Sequence, residues 1–73
     1  MNDQDYIKLK FLGDKIKNLR NARNISQEKL AEITGLDRTY ISGLERGLRN
    51  PSYLVLQRIA KELNIKEACF FED

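Results

Sequence analysis

The sequence predicts an all-α fold, a compact bundle of about five short helices, on three observations. Apolar residues recur at helical three- and four-residue intervals in separate stretches. A small polar residue able to accept from free amides stands ahead of each of the later stretches, at Ser26, Asp37 and Ser52. No stretch carries the apolar–polar alternation of a half-buried strand.

The first helix is expected from about Tyr6 or Leu9 to Arg23, with Leu12, Ile16 and Leu19 on one face, Phe11 widening that stripe and Asn24 ending it. Ser26 caps the second helix, and Gln27 and Glu28 suit a first turn beside the helix dipole. Lys29 at the third helical position leaves the capping box incomplete. Leu30, Ala31 and Ile33 supply the buried side of this helix, and Gly35 takes the positive φ that closes it before Leu36 turns inward. Asp37 caps a third helix that buries Ile41 and Leu44 and stops at Gly47. Only a few residues separate the second and third helices, so they must cross steeply rather than lie back to back. That is a helix-turn-helix, at about 26–47. Arg38, Thr39, Ser42, Gly43 and Arg46 are left pointing away from the core, a face without an apolar residue. Asn50 and Pro51 break the chain, and Ser52 caps a fourth helix in which Tyr53, Leu56, Ile59, Ala60 and Leu63 face the core. Asn64 ends it, and a short fifth helix holds Glu67 to Phe71.

The 73 residues form a single domain, 1–73, with no repeat, linker or low-complexity segment. A chain this short buries only roughly 60% of the surface its unfolded form exposes. Small domains compensate with disulfides, a metal or a partner subunit, but Cys69 is the only cysteine and there is no histidine. A homodimer is therefore expected. Leu54, Val55, Cys69, Phe70 and Phe71 exceed what the fourth-helix stripe needs and mark the interface, with a dimerisation segment at about 65–73. Neither a signal peptide nor a run of apolar residues long enough to span a membrane is present, so a cytoplasmic protein without membrane contact is expected.

Net charge is only +2, but residues 15–58 carry nine basic against four acidic side chains, and the remainder is acidic. A basic middle is what an anionic partner meets first. An enzyme is disfavoured, because the chain has no histidine, no glycine-rich phosphate loop and no paired carboxylates; no cofactor and no metal are expected. A protein-interaction adaptor is the alternative of another class. Such a surface presents an aromatic or aliphatic anchor, where the third helix here offers polar and basic residues.

The stretch "SQEKLAEITGLDRTYISGLERG", through Ser26, Gln27, Leu30, Ala31, Gly35, Ile41, Glu45 and Gly47, resembles the helix-turn-helix of the lambda-repressor and Cro-like family. The likeness extends through "NPSYLVLQRIAKELNI" and covers about 55 of the 73 residues. Within the family, "LDRTYISGLERGLRNPS" most resembles the controller proteins of restriction-modification systems, small homodimers that regulate their own gene together with that of the endonuclease. Phage and plasmid repressors and antitoxin-type autoregulators share the scaffold and are the alternative within the class.

The resemblance implies a sequence-specific transcriptional regulator, acting as repressor, activator or both, whose partner is double-stranded DNA carrying an inverted-repeat operator. The third helix enters the major groove, with Arg38 and Thr39 nearest the base edges and Ser42 on the same face. Gln27, at the amino end of the second helix, touches the DNA backbone. Tyr40 either bonds a phosphate or covers the core edge. Gly43 is expected where the groove wall or a phosphate passes too close for a side chain. Arg46, Arg49 and Asn50 add contacts past the end of the helix, Arg49 being suited to fork onto guanine O6 and N7. Arg20 and Glu45 are read as a partly buried structural salt bridge between the first and third helices. RNA polymerase is a further partner if the protein activates.

Overall fold

The computed structural model describes residues 2–72; Met1 and Asp73, the outermost residues of the expected domain, lie outside the described residues. Four α-helices and a C-terminal 3-10 turn follow one another: α1 Asp3–Ala22, α2 Gln27–Thr34, α3 Arg38–Glu45, α4 Tyr53–Leu63 and the turn Glu67–Phe71. No strand occurs among the described residues. The fifth helix of the sequence reading is thus a 3-10 turn of five residues, a length at which the tighter form is common.

The first helix begins earlier than expected. Asn2 Oδ1 accepts from the Asp5 amide at 2.8 Å, and Asp3 and Asp5 lie in the first turn, where the helix dipole favours negative charge. That stretch has no apolar periodicity, so only its capping chemistry could have revealed it. The remaining amino ends are capped by Ser26 Oγ on Lys29 N at 3.0 Å, Asp37 Oδ1 on Thr39 N at 2.7 Å and Ser52 Oγ on Val55 N at 3.1 Å. Gly35 closes α2 in the left-handed region at φ 73°. Gly47 follows the end of α3 at φ 77°, with Gly47 N donating to Leu44 O at 3.1 Å and Leu48 N to Gly43 O at 2.9 Å. This Schellman pairing turns the chain sharply back on the helix it has just left.

Ile16, Leu30, Ile41, Leu44, Ile59, Leu63 and Phe70 are the fully buried large side chains, one or more from every element. The position of Phe70 corrects the sequence reading: it plugs the chain's own core and leaves no surface for a partner. Tyr53 is corrected in the other sense. It is 62% exposed, and its hydroxyl accepts from Gln57 Nε2 at 2.9 Å. At 3.6 residues per turn it stands about 70° from the mean direction of Leu56, Ile59, Ala60 and Leu63, outside their stripe. The α1–α3 crossing depends on Gly13, where a Cβ would lie within 2.8 Å of the Glu45 carbonyl oxygen and closer still to that of Leu44. No helix of the described residues is long and apolar enough to cross a membrane.

Candidate nucleic-acid interface

The orientation of α3 is set first by the turn before it. Thr34 is buried at the end of α2, where its Oγ1 donates to Leu30 O at 2.6 Å and accepts from Leu36 N at 3.3 Å. This fixes the chain on both sides of Gly35, and Asp37 then starts α3 across α2.

The other end of α3 is fixed by a buried ion pair. Arg20 of α1 grips Glu45 with both prongs of its fork, Nε to Oε2 at 2.7 Å and Nη2 to Oε1 at 2.9 Å, with side chains only 9% and 2% exposed. Arg20 Nη1 also donates to Ile25 O at 2.8 Å and to Asn21 Oδ1 at 3.1 Å, so the guanidinium is well satisfied despite its burial. Hydrogen bonding to Glu45 raises the Arg20 pKa above its ordinary value, against the opposing effect of burial. An arginine shifted upward keeps its contribution at every pH below the ordinary arginine range, so this end of the pair stays charged under all working conditions.

Gln27 joins the same carboxylate, its Nε2 donating to Glu45 Oε1 at 3.0 Å. The sequence reading gives Gln27 a contact with the DNA backbone and no partner within the chain. The structure makes it half-buried and ties it to Glu45, so that one amide hydrogen remains for an outside acceptor. One carboxylate thereby joins α1, the start of α2 and the end of α3.

Between these anchors the exposed residues of α3 and its C-terminal cap are Arg38, Thr39 and Arg46, all donors; the N-terminal cap Asp37 is exposed too, and Ser42 is half-buried beside them. Arg38 Nη1 lies 3.3 Å from Glu28 Oε1, a pairing across the α2–α3 surface that sequence reasoning missed. Both side chains are well exposed, so the pair holds Arg38 weakly, by about 0–1 kcal/mol. Tyr40 is half-buried against the core, which favours the core-edge alternative for its ring. Gly43 is not exposed, contrary to expectation. It is buried under the side chain of Arg49, and a Cβ there would stand 3.0 Å from Arg49 Cγ and 3.2 Å from Nε. The reason is the reversal at Gly47, which no helical-face arithmetic contains. Arg49 and Asn50 are themselves exposed.

The residues read as a dimer surface lie elsewhere. Leu54 is 69% and Phe71 70% exposed, Val55 and Cys69 are half-buried, and Phe70 is absent from this surface. Phe71 also borders an open, mainly apolar groove of about 600 Å³ with Ile7, Phe11, Pro51 and Asn50. Ile7 and Phe11, one helical turn apart, were the signal for it, and of the two only Phe11 was placed on a face of the first helix. No group of three or more His, Cys, Asp or Glu able to hold a metal ion occurs among the described residues.

Comparison with known proteins places this geometry in a family. The helix-turn-helix family profile (HTH_3) matches residues 16–68. The chain is 48% identical over 54 residues to the control protein C.SmaI of Serratia marcescens, a match spanning 74% of this chain and 64%, just under two thirds, of that relative. Among solved structures it is similar to the restriction-modification controller protein C.AhdI of Aeromonas hydrophila, at 41% identity and a TM-score of 0.84 over 86% of this chain and 96% of that one. It is also similar to the controller protein C.Esp1396I, solved as a tetramer in complex with its natural 35 base-pair operator, at 41% identity and a TM-score of 0.79 over 88% and 84% of the two chains.

Proposed function

The chain belongs to the helix-turn-helix family, and from that premise we propose that it is a DNA-binding transcriptional regulator, a restriction-modification controller protein that binds an inverted-repeat operator as a homodimer. The observation that carries this reading is the outward side of α3: its exposed residues, Arg38 and Thr39, and the exposed Arg46 that caps its end are hydrogen-bond donors, and none is apolar. A surface that recognises another protein needs a desolvated anchor, whereas a surface that enters the major groove needs donors aimed at base edges and phosphates. The operator complex of C.Esp1396I supports the same choice.

On this reading α3 lies in the major groove with Arg38 and Thr39 at its base-reading end, and Arg46, Arg49 and Asn50 extend the contact past the helix. Gln27, steadied by Glu45, gives its remaining amide hydrogen to a phosphate and fixes register without reading sequence. Leu54, Val55 and Phe71 pair two copies about a two-fold axis, which sets the two α3 helices about 34 Å apart, one turn of DNA. RNA polymerase is a partner where the bound dimer activates a promoter, and the protein resides in the cytoplasm, on the nucleoid.

Selection of DNA from a random pool by the purified protein, followed by sequencing, tests this. The expected product is an inverted repeat with half-site centres one helical turn apart. Enrichment of asymmetric sites, or of none, would contradict it.

A further inference from the structure

We infer that Gly43 is a positioning residue for Arg49: its missing side chain leaves a seat on α3 that holds the arginine stem and so determines where the guanidinium begins its reach towards DNA. The inference rests on the DNA-binding reading above and adds to it a residue that touches the arginine rather than the operator.

Three features of the chain place the stem there. Gly47 enters the left-handed region at φ 77° and reverses the chain. The Leu48 amide then bonds the carbonyl of Gly43 itself at 2.9 Å, which lays residues 48–50 along the end of α3. Arg49 Cγ, Nε and Cδ next pass the α-carbon of Gly43 where a Cβ would stand only 3.0, 3.2 and 3.6 Å from them. Ordinary contacts between such atoms need about 3.5–4.0 Å, so a side chain at position 43 pushes the stem off this seat by at least a few tenths of an ångström. A glycine kept because DNA passes close would lie bare in the free protein; this one is buried, and what buries it is the arginine.

This displacement costs the fold little. Arg49 is exposed and leaves its seat by rotating its own side-chain bonds, and alanine is a better helix former than glycine. Gly43→Ala should therefore fold with a Tm at or above that of the parent while its arginine loses a fixed starting point. Preorganisation of this kind affects discrimination, because a guanidinium that must be ordered on binding holds its two parallel bonds to guanine less firmly.

The test is a cycle of parent, Gly43→Ala, Arg49→Ala and the double variant, measured by fluorescence anisotropy at one salt concentration. The duplexes are the site the protein selects and a panel of its single base-pair changes. Arg49→Ala should lose about 5- to 150-fold of its preference at one base pair in each half-site. Gly43→Ala should lose part of that preference at the same base pair, and the double variant should lose no more than Arg49→Ala alone. In the free protein the nitrogen-15 signal of Arg49 Nε should move in Gly43→Ala towards that of unrestrained arginine. The inference is overturned if Gly43→Ala keeps full preference, if it costs the same factor in the Arg49→Ala background, if the Nε signal is unchanged, or if the Tm falls by several degrees. A parent protein with no preference on any duplex overturns the DNA-binding reading and this inference together. A selective parent whose preference survives Arg49→Ala overturns this inference alone.

Discussion

Glu45 is the residue on which the DNA-facing geometry depends. It is 3% exposed and accepts from both Arg20 and Gln27, so its removal strands a buried guanidinium and frees the amide that steadies the start of α2. Glu45→Ala and Arg20→Ala should each cost roughly 3–5 kcal/mol, and the double variant clearly less than their sum, because each single change leaves a charge buried without its partner. Denaturant unfolding of the four proteins measures this; strict additivity would mean that the pair contributes nothing as a pair. The Arg20–Glu45 pairing was legible only through family resemblance, since no spacing rule links residues 25 apart. The attachment of Gln27 and the cover over Gly43 were not legible. Both depend on where a chain reversal carries a side chain, and helical periodicity describes faces, not what folds back over them.

At the scale of elements, chemistry at helix ends and regular apolar spacing carried most of the information. Ser26, Asp37 and Ser52 make the cap bonds that their positions in the sequence imply, and Leu30, Ile41, Leu44, Ile59 and Leu63 fill the core. Errors fell where those signals thin out: the polar first turn of α1, the first position of α4 and the short C-terminal turn. Gly13 carried a signal that was passed over, an isolated glycine inside a helical pattern. Its meaning is the close approach of α1 to the α3 backbone, where the atoms a Cβ would meet are carbonyl oxygens that cannot rotate away. Gly13→Ala should therefore lower stability by about 1–3 kcal/mol, overriding the gain of about 1 kcal/mol that alanine brings to a helix. A thermal melt of Gly13→Ala checks it, and an unchanged or higher Tm would show that the two helices can part without cost.

As a whole, the molecule keeps the donors of α3 apart from the exposed apolar side chains of α4 and the C-terminal turn, while Leu48, 49% exposed, stands between Arg46 and Arg49. Arg38 and Thr39 lie on α3 and Arg46 at its C-terminal cap, while Leu54 on α4 and Phe71 in the C-terminal turn stand 69% and 70% exposed. Uneven charge and surplus apolar residues pointed to both sets, but Gly43 is buried under Arg49 and Phe70 lies in the core, because a five-residue turn does not declare which of two adjacent phenylalanines points inward. Leu54 and Phe71 should hold two copies together without DNA. Sedimentation should show a dimer at tens of micromolar, and Leu54→Glu with Phe71→Glu should give a folded monomer; a monomeric parent would contradict the assignment. The central claim, that the outward side of α3 is the DNA-reading surface, is tested most directly by backbone and arginine side-chain NMR during addition of a selected operator duplex at fixed salt. The largest shifts are expected at Gln27, Arg38, Thr39, Ser42, Arg46 and Arg49, with Ile7 and Phe11 unmoved. Shifts centred on the groove between α1 and Phe71, with α3 unchanged, would contradict it.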